Sequence, residues 1–145
     1  MSFHINIGSI PANDMRYDTA GDWIGVASSL RVTVAEQSDA RYEALVAIHE
    51  LVEAVLCLNV GVTAEMVDEF DFNFTGTGEP GDHSDSPYKR QHAVAEIVER
   101  IVALELGVDF DKYLREVAER SYGRVAIEHN TIQHLIQEGE RDETT

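Results

Sequence analysis

His49, Glu50 and Glu53 are the only polar side chains in the segment Ala44-Leu-Val-Ala-Ile-His49-Glu50-Leu-Val-Glu53-Ala-Val-Leu-Cys57-Leu58. A helix so apolar on every face is expected to be largely buried. Burying one unpaired carboxylate costs several kcal/mol or forces a large pKa shift, so two carboxylates and an imidazole on a core helix demand partners. A bound metal ion is the most economical one.

On a helix, His49 and Glu53 lie one turn above each other, so an imidazole nitrogen and a carboxylate oxygen can both reach one ion at about 2 Å. Glu50 sits about 100° round the axis, placed to address a water on that ion. Later in the chain His92, Glu96 and Glu99 fall at i, i+4 and i+7, again one stripe. If the two helices pack face to face, His49, Glu53 and His92 form a set of two histidines and one carboxylate with open positions for water. Glu99 is a further candidate ligand and Glu50 the candidate catalytic base. The expected cofactor is a divalent metal, zinc first, with Fe²⁺ or Mg²⁺ as alternatives.

A plainer reading makes the cluster a buried polar network satisfied by Arg16, Arg31, Arg41 or Arg100, which leaves the pairing of two histidines unexplained. Glu96 and Glu99 would then be a solvated helix face, with Glu99 in an ion pair with Arg100. Asp82 and His83, in a glycine-rich loop, are expected to be solvated. Cys57 is expected to pack in the core, a thiolate ligand being the alternative. Tyr17 and Trp23 are expected to pack a sheet against the helices.

The elements that must position these groups are legible from periodicity and punctuation. Phe3-His-Ile-Asn-Ile7 alternates as a strand does. Trp23-Ile-Gly-Val26, a turn at Ala27-Ser-Ser29 and Leu30-Arg-Val-Thr-Val34 read as a hairpin, and together these strands suggest a small antiparallel sheet. A helix is expected from about Ala40 to Asn59, after Ser38-Asp39 and before Gly61. A second starts after the capping residue Thr63. Thr75 to Asp85 is a loop. Ser86-Pro87 opens a third helix closed by Gly107, with Val94, Ile97, Val98, Ile101, Val102 and Leu104 as its apolar stripe. Asp109 caps a fourth, with Phe110, Tyr113, Leu114 and Val117 towards the core.

The fold class is therefore α+β: a small N-terminal antiparallel sheet packed on three to four helices, with the site on a helix pair. One domain is expected over 1–118, followed by a helical extension over 119–145 with a disordered end. The apolar positions of that extension, Val125 to Ile136, would suit a homodimer contact.

The chain has 145 residues, 11 Lys plus Arg, 27 Asp plus Glu and a formal net charge of -16. Such a charge argues against direct contact with nucleic acid or an anionic membrane, and suits cations, basic proteins or mimicry of DNA towards a DNA-binding protein. Cys57 is the only cysteine, so no intrachain disulfide can form. With no basic-then-apolar leader at Met1-Ser-Phe-His-Ile-Asn6, a cytoplasmic location is expected.

His49-Glu50-Leu-Val-Glu53 resembles the His-Glu-x-x-His helix of zincin metalloproteases. The resemblance implies a metal ligand at His49 and a general base at Glu50. Glu53 stands where zincins have the second histidine, and His92 would restore the ligand count from another helix. More of the chain is similar to an uncharacterised family of bacteriophages and related bacterial elements. The shared pieces are Arg16-Tyr-Asp-Thr19, Gly21-Asp-Trp23, Arg41-Tyr-Glu43, Ile48-His-Glu-Leu-Val-Glu-Ala54 with Cys57, Glu79-Pro-Gly-Asp82, Pro87-Tyr88, His92, Glu99-Arg100 and Leu106-Gly-Val-Asp109. This resemblance runs to about Val117, leaves out Glu96, and implies a viral origin, action in the host cytoplasm and a single unit of His49, Glu50, Glu53, His92 and Glu99.

Three functional expectations follow. The first is a zincin-like, metal-dependent hydrolase, with a peptide bond as the favoured substrate. The second is a non-enzymatic acidic accessory protein that binds or inhibits a host protein, its metal structural if all ligands come from the protein. The third takes Glu50/Glu53 and Glu96/Glu99 as a magnesium cage like that of all-α nucleotide pyrophosphohydrolases.

Overall fold

The computed structural model describes residues 2–121. Of the extension expected over 119–145, everything beyond residue 121, with its apolar positions and a dimer contact through them, lies outside the described residues.

Three strands and four helices follow one another: β1 (His4–Ile10), β2 (Gly21–Val26), β3 (Ser29–Ala35), α1 (Ala40–Asn59), α2 (Ala64–Asn73), α3 (Lys89–Glu105) and α4 (Phe110–Ser121). The class is α+β, as the punctuation predicts. β2 and β3 form the expected antiparallel hairpin, Trp23 opposite Val32. β1, however, lies on the other edge of β3 and runs parallel to it, Ile5 beside Leu30 and Ile7 beside Val32. The sheet is therefore mixed, a correction to the all-antiparallel expectation. A tight turn forces antiparallel pairing on β2 and β3, whereas the long loop after β1 carries the chain across the sheet and frees its direction.

Leu30, Val32 and Val34 of β3 point to one face and are buried, with Trp23 of β2 beside them. That alternation builds the floor on which α1 packs; its other side meets α3. The Asp39 carboxylate accepts the Arg41 backbone N–H and starts α1. Gly61, at φ +80°, ends the run. Enclosure of α1 is less complete than its composition suggests: Leu45, Ala54 and Cys57 are buried, but Val55 is exposed.

α3 departs from expectation in two ways. It begins at Lys89, two residues beyond Pro87, with the Ser86 hydroxyl accepting the Tyr88 N–H. Four of the six residues of its expected apolar stripe also face outward: Val94, Ile97, Ile101 and Leu104 are exposed, Leu104 by 76%, whereas Val98 is half-buried and Val102 packs on the core. The buried face instead carries His92, Ala95, Glu99 and Ala103. Ala95 and Ala103 let α1 come close, and that proximity brings the polar groups of both helices together.

Asp109 accepts the Lys112 N–H and starts α4, which buries Tyr113 and Val117 against this pair. Among the described residues no single helix is long and apolar enough to cross a membrane.

Candidate metal centre

His49 and Glu53 on α1 face His92 on α3, and these three could hold a metal ion. His49 Nε2 lies 3.2 Å from His92 Nδ1. Glu53 Oε2 lies 3.0 Å from His92 Nδ1 and 3.4 Å from His49 Nε2. A tetrahedral ion about 2.0 to 2.1 Å from each donor needs donors about 3.3 to 3.4 Å apart, close to the observed triangle.

Each of the three side chains is held from behind. His49 Nδ1–H donates to Glu99 Oε2 at 2.7 Å, and the Tyr113 hydroxyl donates to Glu99 Oε1. His92 Nε2–H donates to Glu79 Oε2 at 3.1 Å, with Asp82 Oδ1 3.4 Å from the same nitrogen. Trp23 Nε1–H donates to Glu53 Oε1 at 3.1 Å. Carboxylates behind ligating imidazoles fix the ring orientation and the nitrogen that carries the proton, which leaves His49 Nε2 and His92 Nδ1 turned to the shared point.

The backbone also shapes the site. A Cβ added at Gly81 would lie 2.6 Å from His92 Cγ, and one at Gly21 would lie 2.5 Å from Glu50 Cγ. Only glycine lets the 79–82 turn and the start of β2 approach so closely.

Electrostatics follows from burial and pairing. Burial alone would lower the pKa of His49, but hydrogen bonds to Glu53 and Glu99 outweigh it and hold it well above 6.5. For His92 burial is likewise outweighed, by Glu53 and Glu79, and the pKa rises to about 10. Burial would raise Glu53, yet the two imidazoles bring it down to about 2. Glu50 moves the other way, lifted well above the carboxylate range by burial and then by the charge of Glu53. Without an ion the cluster is thus held together by protons on its imidazoles.

The arginine-satisfied network does not form. Arg16 binds Asp22 and Asp68, Arg41 binds Asp39, and Arg100 binds Glu96 at 2.9 Å. Glu99 is therefore not paired with Arg100 and not solvated, but buried behind His49. It supports a ligand rather than facing the shared point. Glu96, partnered by Arg100, stands apart from Glu99, so the second pair of the magnesium cage is split between two tasks. His83 packs its ring near Phe74, outside the cluster. Cys57 is buried in the core, its pKa raised to about 12 chiefly by burial. Trp23 does pack the sheet against the helices and, beyond that, anchors Glu53.

Sequence reasoning did not assign Glu79, Trp23 or Tyr113 to the site. For Glu79 the available signal was the compact Glu79-Pro-Gly-Asp82 turn; for Trp23, an inward register on β2 beside a buried carboxylate.

His49, Glu50, Glu53, His92 and Glu99 all line one cavity of about 440 Å³. That size lies in the range of small-ligand sites. In comparisons with known proteins, no family model matches the chain, and no match was found among curated proteins or solved structures.

Proposed function

We propose that this protein is a divalent-metal-dependent hydrolase, with zinc the favoured ion and a peptide bond the favoured substrate. The observation that carries this reading is the donor triangle of His49 Nε2, His92 Nδ1 and Glu53 Oε2, with a partner behind every ligand. Three protein ligands leave a tetrahedral position free, the pattern of catalytic rather than closed structural zinc.

A zinc ion so held would lower the pKa of water towards about 7 and polarise a carbonyl. The chain's own groups do the rest. Glu50, on the wall of the same cavity, accepts the proton of the attacking water and returns it to the leaving amine, as a general base and then acid. Glu99 and Glu79 hold the two imidazoles in place as charge changes at the centre. Among the described residues β2 is an edge strand, and its first residues line the cavity; strand addition to that edge would align an extended peptide, which favours a peptide over other acyl substrates.

The exposed stripe Val94, Ile97, Ile101 and Leu104 supports a second reading, an accessory protein that docks a host protein while the metal is structural. Metal content and turnover separate the two. Untagged protein is expected to carry about one zinc per chain by elemental mass spectrometry, lost in His49→Ala and His92→Ala. Glu50→Gln is expected to keep the zinc and lose cleavage of a peptide library. Full biological activity in Glu50→Gln would leave only the accessory reading, and no metal after reconstitution would remove both metal readings.

A further inference from the structure

Nine carboxylate residues line the cavity, and no lysine or arginine does. Most of these acids are already engaged. Glu53, Glu79 and Glu99 serve the two histidines, Arg16 holds Asp22 at 2.7 Å, and Arg100 holds Glu96. Arg16 itself is spent between Asp22 and Asp68. Asp82 lies 3.4 Å from His92 Nε2, and Asp18 is exposed. Glu50 and Asp71 remain, and neither is paired with a cation among the described residues.

Asp71, on α2, accepts the Tyr88 hydroxyl on Oδ1 at 2.5 Å. No hydrogen bond with a described residue engages its Oδ2. Burial without a cation lifts its pKa to about 6. Tyr17 lines the same cavity, and burial, then the charges of Asp22, Glu50 and Asp71, raise the pKa of its hydroxyl. A half-buried carboxylate bonded to Tyr88, in a cavity that Tyr17 also lines, combines charge with aromatic rings, the combination that binds ammonium and guanidinium groups by charge and cation–π attraction. The Tyr88 ring centroid is 6.2 Å from that of His92, so a group seated at Asp71 would be a short chain's length from the donor triangle.

We propose that the cavity selects substrates carrying a cationic group, an ammonium or guanidinium, seated on Asp71 between Tyr17 and Tyr88 while the bond to be cleaved lies at His49, Glu53 and His92. This rests on the hydrolase reading. Asp71, with no cation opposite it among the described residues, makes this end of the cleft negative, which concentrates cations there and repels phosphate esters and carboxylates. A positively charged side chain or free amino group close to the scissile bond satisfies Asp71; an anionic one meets like charge.

Three hydroxamates of matched length test this on zinc-loaded protein by calorimetry at low salt: 6-aminohexanohydroxamate, heptanohydroxamate and the monohydroxamate of adipic acid. Their metal-binding end is common and only the far charge differs. The cationic probe is expected to bind at least about tenfold tighter than the neutral one, and the anionic probe weakest, with the preference shrinking at high salt. In Asp71→Asn the neutral probe should keep its affinity, which shows an intact centre, and the cationic advantage should vanish. Tyr17→Leu, a second variant that spares Asp71, should cost the cationic probe alone about three- to tenfold. Equal affinities for all three probes, or a preference that survives both substitutions, would overturn the proposal while leaving the hydrolase reading intact. Failure of every hydroxamate to bind zinc-loaded protein would show that no coordination position is open, and would overturn the hydrolase reading with it.

Discussion

His49 and Glu99 stand 50 positions apart in the chain and meet through a 2.7 Å hydrogen bond from Nδ1–H to Oε2. That bond determines which nitrogen of His49 is free, and so where a metal ion can sit. Glu99 is held in turn by Tyr113, which makes α4 part of the support of a site built on α1 and α3.

Removing that support without removing a ligand is therefore informative. Glu99→Gln should lower zinc affinity by about 10- to 100-fold, the usual loss for a partner behind a ligating histidine. Tyr113→Phe should lose less, because Glu99 keeps its bond to His49. Competition with a chromogenic chelator measures both, and unchanged affinity in Glu99→Gln would show that His49 needs no orientation.

Trp23 Nε1–H fixes Glu53 from the sheet side. Trp23→Phe keeps most of the aromatic volume and deletes the donor, so it should cost about 1 to 3 kcal/mol in the metal-free protein, where a buried acceptor is left unpaired. Denaturant unfolding checks it. A loss confined to the zinc-loaded form would contradict the pairing.

The pH dependence has a defined sign. His92, raised from 6.5 to about 10, contributes stability that is complete below pH 6.5 and is lost as pH rises through about 10. Glu53, lowered from 4.5 to about 2, contributes stability present above pH 4.5 and lost as pH falls through about 2. Metal-free protein should thus have its highest Tm between these limits and melt earlier on either side. Zinc must displace imidazole protons, so its binding should tighten as pH rises from about 6 to about 8, by about tenfold per unit for each proton released. Calorimetry in buffers of different ionisation enthalpy counts those protons, and a count of zero would refute the protonated cluster.

Gly21 abuts Glu50, and Gly81 abuts the His92 ring. Gly81→Ala should push the ring off the shared point and weaken zinc binding by at least about tenfold. Gly21→Ala should move Glu50 instead, sparing zinc and lowering turnover. Crossed outcomes, each variant doing what is expected of the other, would contradict these contacts.

The outward stripe of α3 gives a stability test of the fold itself. Ile101→Ser should change unfolding free energy by no more than about 0.5 kcal/mol, as exposed positions do, whereas Ala103→Ser on the buried face should cost more. The reverse order would restore the stripe to the core.

Local chemistry made much of the fold legible. Asp39, Thr63 and Asp109 each cap the helix that follows, and Gly61 and Gly107, both at positive φ, close α1 and α3. Such signals act within one turn of chain, so a sequence displays them without knowledge of anything distant. The spacing of His49 and Glu53 is legible for the same reason: both belong to one helix.

Contacts between elements were decided by packing. The direction of β1 depends on how a long loop crosses the sheet, and nothing in His4–Ile10 encodes it. On α3, periodicity alone favours burying Val94, Ile97, Ile101 and Leu104, yet the helix turns His92, Ala95, Glu99 and Ala103 inward. That choice is tolerable only because His49, Glu53, Glu79, Trp23 and Tyr113 arrive from other elements to satisfy the buried polar groups. A sequence written along one dimension shows which residues could be ligands and where helices start; which carboxylate ligates, which orients a histidine and which is left to meet a substrate are set by distances between segments, and those exist only once the chain has packed.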